Sequence, residues 1–339
     1  MSNNVVGRLL GDAMTVPLRV GGMLGVRAKL GPRALRVDPG VANPAPALTE
    51  HDRRKVAYNF FSGIPFELRN PGGDLPGANE WHRAPSADHP HPVILVHGTG
   101  GGAQTNWGTY VPLLSNEGFS VFSLTYGAIA GVPWPLSAIG GMAKIEDSAK
   151  EFGVFVERVL EATGAAQVDV VGHSQGTLMP NYWAKCLGGA ELIRKYVSLA
   201  PMWQGTSAFA GVMSRINLPL GLDPTRILPC YSAAQMMAGS EFIAEMHADG
   251  GPYVPGIDYI NISTRYDEFV VPYTSGQLPG GPDATVTNIV VQENCSHDYS
   301  DHLAICGSQR AALCVLNALD DRADPRDVPC MFVPPFFGS

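Results

Sequence analysis

Apolar residues run without a break through Pro92-Val93-Ile94-Leu95-Val96 and stop at His97-Gly98. A run of this kind suits a strand buried on both faces of a parallel sheet. Phe119–Tyr126, Gln167–Val171, Tyr196–Ala200, Ile257–Ser263 and Thr287–Gln292 read as further strands. Between them the apolar spacing lengthens to three and four, the helical period. It predicts helices over Thr109–Glu117, Ile145–Ala162, Gln175–Leu187 and His302–Leu319. The second is the clearest, with Phe152, Phe155, Val156, Val159 and Leu160 on one stripe and Gly164 as a stop beyond it. Strands alternating with helices predict a right-handed, mostly parallel α/β sheet flanked by helices.

Two regions break that rhythm. Residues 1–90 are rich in proline and read as a largely irregular extension, with one strand-like run at Val56–Phe61. Residues 91–320 carry the α/β pattern, and 321–339 form a carboxyl-terminal tail. Within the pattern, residues 201–255 form an insertion rich in Gly, Pro and Met, including Met202, Met213, Met236, Met237 and Met246. Charge is scarce there: between Tyr196 and Ser240 only Arg215, Asp223 and Arg226 carry it. The stretch Gly118–Ala143 has none.

Composition extends this picture. Of 339 residues, 45% are hydrophobic and 16% charged, against about 25% charged in ordinary soluble domains. A charge-solvated disordered chain is excluded. The net charge of −8 argues against nucleic acid, which needs a basic footprint. Gly118–Ala143 is not a transmembrane span, because Pro133, Pro135 and four glycines interrupt it. The first 37 residues are basic, with Arg8, Arg19, Arg27, Lys29, Arg33 and Arg36 against Asp12. They read either as a membrane-surface arm or degenerate export signal, or as a solvated extension; no clear secretion signal is present. Six cysteines include no C-x-x-C pair, so zinc is not expected. Four lie beyond residue 290, which reads as at least one disulfide stapling the carboxyl-terminal tail, with buried free thiols as the alternative; the connectivity is not readable.

The chemistry sits in Gly172-His173-Ser174-Gln175-Gly176, between a predicted strand and a predicted helix. That is the G-x-S-x-G nucleophile elbow in the context the motif requires, with Ser174 raised over the carboxyl edge of the sheet. A serine hydroxyl needs a base, and in this topology an acid and then a histidine follow it in the chain. His302, after Ser300-Asp301 at the predicted start of the last helix, is the preferred base; His297 and His247 are alternatives. Asp267, four residues past strand Ile257–Ser263, is the preferred acid over Glu268 and Asp258. The oxyanion hole needs the N–H after the nucleophile, on Gln175, and one from the loop after the first strand. That loop is His97-Gly98-Thr99-Gly100-Gly101-Gly102, and Thr99 is the natural donor. A phosphate cradle is a poorer reading of it, lacking the G-x-G-x-x-G or Walker spacing.

These stretches resemble the α/β-hydrolase lipases, and more narrowly the class 2 bacterial lipases common in actinobacteria. The pairing of Thr99 with Ser174-Gln175 is also similar to the fungal B-type lipase, whose oxyanion hole uses a threonine and a glutamine. The resemblance covers about residues 91–319. It implies an α/β-hydrolase fold and hydrolysis of triacylglycerol or other carboxylic esters through an acyl-enzyme, with Ser174, Asp267 and His302 as triad. Secretion is usual in such families, so a secreted or cell-envelope location is the expectation and a cytoplasmic one the alternative. The apolar insertion 201–255 is expected to act as a cap or lid. With loop 127–143 it is expected to form the acyl pocket, drawing on Trp134, Ile139, Met202 and Met236. The expected partner is a lipid or small-molecule ester, with transient contact to a lipid interface. No metal or organic cofactor is required. Acyl transfer, polyester or sterol-ester hydrolysis on the same triad, and a non-catalytic binding role remain as alternatives.

Overall fold

A computed structural model describes residues 53–208, 230–281, 284–322 and 324–339. The apolar run at residue 92 becomes strand β1 (Val93–Val96), buried throughout. Ile94 and Val96 join the core on one face of the sheet, and Val93 and Leu95 join that on the other, as period-two geometry dictates. The other strands are β2 (Val121–Leu124), β3 (Val168–His173), β4 (Ile193–Leu199), β5 (Asp258–Ser263) and β6 (Thr285–Val290). Among the described residues they form one six-stranded sheet in the order β2-β1-β3-β4-β5-β6. All neighbouring pairs are parallel. The chain runs outward from β1 to β2 and returns to the other side of β1 at β3. Crevices at such switch points, beyond the carboxyl ends of the strands, are where α/β sheets bind ligands. Val96 pairs with Gly172, so His97-Gly98 and His173-Ser174 leave the sheet side by side.

Helices cover both faces. α1 (Ile64–Arg69) precedes the sheet. α2 (Tyr110–Asn116) and the last helix, α7 (Gln309–Leu319), pack on the face holding Val93, Leu95 and Val197. α3 (Ile145–Thr163) and α4 (Met179–Cys186) cover the other face. α3 follows its predicted stripe, burying Ile145, Ala149, Phe152, Val156 and Val159, and stops at Gly164, whose φ of +70° suits glycine. Within the insertion lie α5 (Tyr231–Gln235) and α6 (Glu241–His247). Met213 falls outside the described residues.

Two expectations are corrected. Val56–Phe61 is not a strand. The chain stays extended without joining the sheet, then forms a 3-10 turn at Phe60–Gly63 that leads into α1. Its alternation is genuine, because Val56, Tyr58 and Phe60 pack against the core that holds α2 and α7. Residues 53–90 belong to the same compact unit as the sheet, tied to it by Arg54 N–H to Asn116 and Thr109 Oγ1–H to the Ala57 carbonyl. The last helix does not start at His302. A 3-10 turn at Ala304–Gly307 comes first, and Ser308 then caps α7 by accepting from Ala311 N–H.

The expected disulfide joins Cys295 to Cys330. It fixes a tail that then runs past the loop after β6 to the 3-10 turn at Phe60–Gly63. Val333 N–H donates to the His297 carbonyl and Phe60 N–H to the Phe337 carbonyl, at 3.1 and 2.6 Å. Closing a loop of 35 residues restricts the unfolded chain and is worth about 2–4 kcal/mol. Replacing both cysteines by serine therefore lowers the unfolding free energy by about that amount, as measured by urea denaturation of the oxidised protein and the variant.

Candidate active site

Backbone crowding builds the elbow. Ser174 follows β3 and opens a 3-10 turn with φ +54°, a region costly for a residue with a side chain. A Cβ on Gly172 would lie 2.1 Å from the Gly176 carbonyl oxygen, and one on Gly176 would lie 2.1 Å from that of Val96. Only glycine at both places lets strand, turn and β1 approach this closely.

The structure brings together the three residues expected of a triad. His302 Nε2 lies 2.8 Å from Ser174 Oγ, across 128 residues of chain. His302 Nδ1 lies 2.9 and 3.0 Å from the two Asp267 oxygens. A carboxylate only accepts, so Nδ1 carries the hydrogen and Nε2 is left to accept from Ser174. Asp267 is aimed by its own loop, where Oδ1 accepts from the N–H groups of Phe269 and Val270. Ser174 Oγ has a second acceptor, Met202 Sδ at 3.3 Å.

The backbone around His302 is gripped from several sides. Its N–H donates to Glu268 Oε2 at 3.1 Å, and its carbonyl accepts from His173 Nε2 at 2.8 Å. Asp301 caps the turn through Leu303 and Ala304 N–H and also receives Phe336 N–H from the tail. Burial pushes the His173 pKa down to about 3, with His302 adding to the shift, so His173 serves as a neutral donor. Burial also pulls the His302 pKa down, but Asp267, Glu268 and Asp301 outweigh it and the net shift is upward.

The two oxyanion candidates face each other. Thr99 Oγ1–H donates to Gln175 Oε1 at 3.3 Å, and Tyr126 Oη stands 3.2 Å from the same oxygen. The glycine loop is clasped by residues 140–141: Gly140 N–H donates to the Gly101 carbonyl, and Gly100 N–H to that of Gly140. A Cβ on Gly141, at φ +69°, would lie 2.3 Å from Gln175 Oε1. The sequence reading missed Tyr126 and this clasp; the paired glycines at 140–141 were the available signal.

A cavity of about 500 Å³ opens over Ser174. Trp134, Ile139 and Met202 line it as expected. Met236 does not. It is buried in the core, with Sδ 3.6 Å from the Thr99 hydroxyl, and backs the oxyanion loop. Its place in the wall is taken by residues 60–68, where Phe60, Phe61, Ile64, Glu67 and Leu68 face the cavity. Of the discarded candidates, His297 is exposed on its loop and His247 bonds the Trp203 carbonyl. Asp258 begins β5, at the opposite end from Asp267. Glu268 sits beside the base but on its backbone.

Sheet order and elbow together define an α/β-hydrolase. The model of the class 2 lipases matches residues 90–308, and the chain belongs to that family. Among solved structures, Aspergillus fumigatus lipase B is similar at 19% identity and TM-score 0.51, over 69% of this chain and 54% of that one. This chain thus spans about half the length of that lipase. Bacillus licheniformis lipase BlEst2 in its mature form is similar at 13% identity and TM-score 0.49, over 70% of this chain and 94% of that one.

The charges around His302 give a pH prediction. A base must be neutral to accept a proton, so kcat/KM rises with pH through a pKa above the ordinary histidine value of about 6.5. Glu268→Gln removes a negative charge that favours the imidazolium, and therefore moves this acid limb to lower pH while activity is retained. A pH–rate profile of both proteins on one soluble ester measures it; a limb moving to higher pH contradicts the assignment.

Proposed function

We infer that the protein hydrolyses carboxylic esters of lipid-like substrates through an acyl-enzyme at Ser174. The observation carrying this reading is the hydrogen-bonded series Ser174–His302–Asp267 at the mouth of an apolar cavity. Ser174 Oγ attacks the ester carbonyl while His302 Nε2 takes its proton. Asp267 stabilises the imidazolium. The developing oxyanion is held by the N–H groups of Gln175 and Thr99, each such donor typically worth about 2.7–4 kcal/mol in the transition state. The imidazolium then protonates the departing alkoxide, and water repeats the sequence to release the acid.

The cavity wall favours apolar substituents. Its mouth carries exposed Phe61, Ile64, Leu68 and Trp134, which supports transient contact with a lipid surface. No helix among the described residues is long and apolar enough to cross a membrane. The Cys295–Cys330 bond supports an oxidising, secreted or envelope location.

Ser174→Ala is expected to abolish hydrolysis of p-nitrophenyl butyrate and octanoate, with a loss on the order of 10⁶ in kcat. Labelling by a fluorophosphonate probe disappears with it. An unchanged rate in the variant overturns the assignment of Ser174.

A further inference from the structure

Glu67 is out of character with the wall it stands in. It is only 8% exposed, yet it faces a cavity lined mainly by apolar side chains. Burying a carboxylate is costly unless donors surround it, and here three neutral donors converge. Oε2 accepts from Gln104 Nε2 at 2.7 Å. Oε1 accepts from Gly72 N–H at 2.9 Å and from Trp134 Nε1 at 3.1 Å. The first two partners lie close to α1. The third comes from the opposite wall.

That third bond joins two segments that both line the cavity. Residues 128–139 are otherwise folded on themselves through turns such as Ala138 N–H to the Pro135 carbonyl and Ile139 N–H to that of Leu136. Among the described residues, Glu67–Trp134 is the one hydrogen bond joining this segment to α1. The indole is 42% exposed, so burial alone does not hold it in place. Trp134 lies within the stretch matched to the lipase family, and Glu67 lies before it.

We propose that Glu67 is a specificity-determining positioning residue that latches Trp134 across the cavity and so fixes the wall met by the longer arm of the ester. The proposal rests on the ester-hydrolase reading. Neither residue touches Ser174, His302 or Asp267 through a hydrogen bond, so the latch acts on substrate fit and leaves the chemical step alone. A short acyl group does not need this wall; a medium one does.

Four variants test it: Trp134→Phe, which removes the N–H and keeps an aromatic ring; Glu67→Leu; the double variant; and Glu67→Gln, whose Oε1 still accepts from the indole while the Gln104 amide turns its unpartnered oxygen toward the new NH2 group. Loss of one such bond corresponds to a three- to tenfold effect. Trp134→Phe and Glu67→Leu each raise KM for p-nitrophenyl octanoate by about that factor and KM for p-nitrophenyl butyrate by less, with kcat changing less than KM. The double variant is no worse than either single one, and Glu67→Gln stays within about twofold. An unchanged octanoate KM in Trp134→Phe, an equal rise on both esters, or multiplicative effects in the double variant overturn the latch. If Glu67→Leu does not fold, Trp134→Phe and Glu67→Gln decide. If the native protein hydrolyses neither ester, the ester-hydrolase reading fails instead. The latch is then read from acrylamide quenching of Trp134, taken as the difference from each Trp134→Phe background. Quenching rises in Glu67→Leu if the latch exists and is unchanged if it does not.

Discussion

The crowding between the end of β1 and the turn after β3 is the constraint from which the site follows. Gly176 lies so close to the Val96 carbonyl that a single added carbon would sit 2.1 Å from it. This approach forces the chain to leave β3 abruptly, and Ser174 takes up a φ of +54°. Strain at one residue is tolerable when the surrounding packing determines it, and here two cores lock β1 and β3 from opposite faces. Its consequence is positional. Ser174 Oγ is held above the strand ends, where loops from β1, β4, β5 and β6 converge, so groups distant in sequence can reach it.

His302 needs more support than Ser174 because no strand leads directly into it. His302 lies in a turn, and its placement is distributed over Asp267, Glu268, His173 and the cap made by Asp301. Charge divides these roles. The carboxylates raise the proton affinity of His302 against the effect of burial. His173, equally enclosed, is kept neutral and works only as a donor. The tail reaches the same turn through Phe336 N–H on Asp301, and its own path is set by the Cys295–Cys330 bond. A covalent link between residues 35 apart in sequence therefore bears on the geometry around His302 without touching it.

What could be read from the sequence divides along physical lines. A strand buried on both faces reads as an apolar run, so Val93–Val96 was legible in place and type, and Gln167–Val171 was legible although it buries Asp169, which Arg194 pairs. The elbow was legible because glycine spacing reports backbone crowding directly. Ser174, Asp267 and His302 followed from chain order and are found together. The start of α7 was not legible: the apolar period runs on through Leu303, Ile305 and Cys306, while two side-chain caps, Asp301 and Ser308, divide it into a 3-10 turn and a helix. Val56–Phe61 alternates as a strand does, since packing an extended chain on a core needs the same period as pairing it in a sheet. Met236 shows the converse limit, because apolar character near a site does not distinguish cavity wall from the core behind it.

The cavity and the catalytic groups thus have different origins. The catalytic groups lie at the ends of strands and in the loops that follow them, within residues 90–308, where the family match lies. Much of the wall comes from residues 60–68, before that match, held against the sheet by contacts such as Phe60 N–H to the Phe337 carbonyl and Gln104 to Glu67. Chemistry requires tight relative placement of a few atoms, and a sheet edge supplies it. Substrate fit requires only a surface of suitable shape, which a short helix tied down by a few hydrogen bonds can provide. The first demand restricts sequence strongly and the second weakly. The family pattern therefore covers the residues gathered at the sheet edge, while much of the cavity wall comes from a segment that this pattern does not reach.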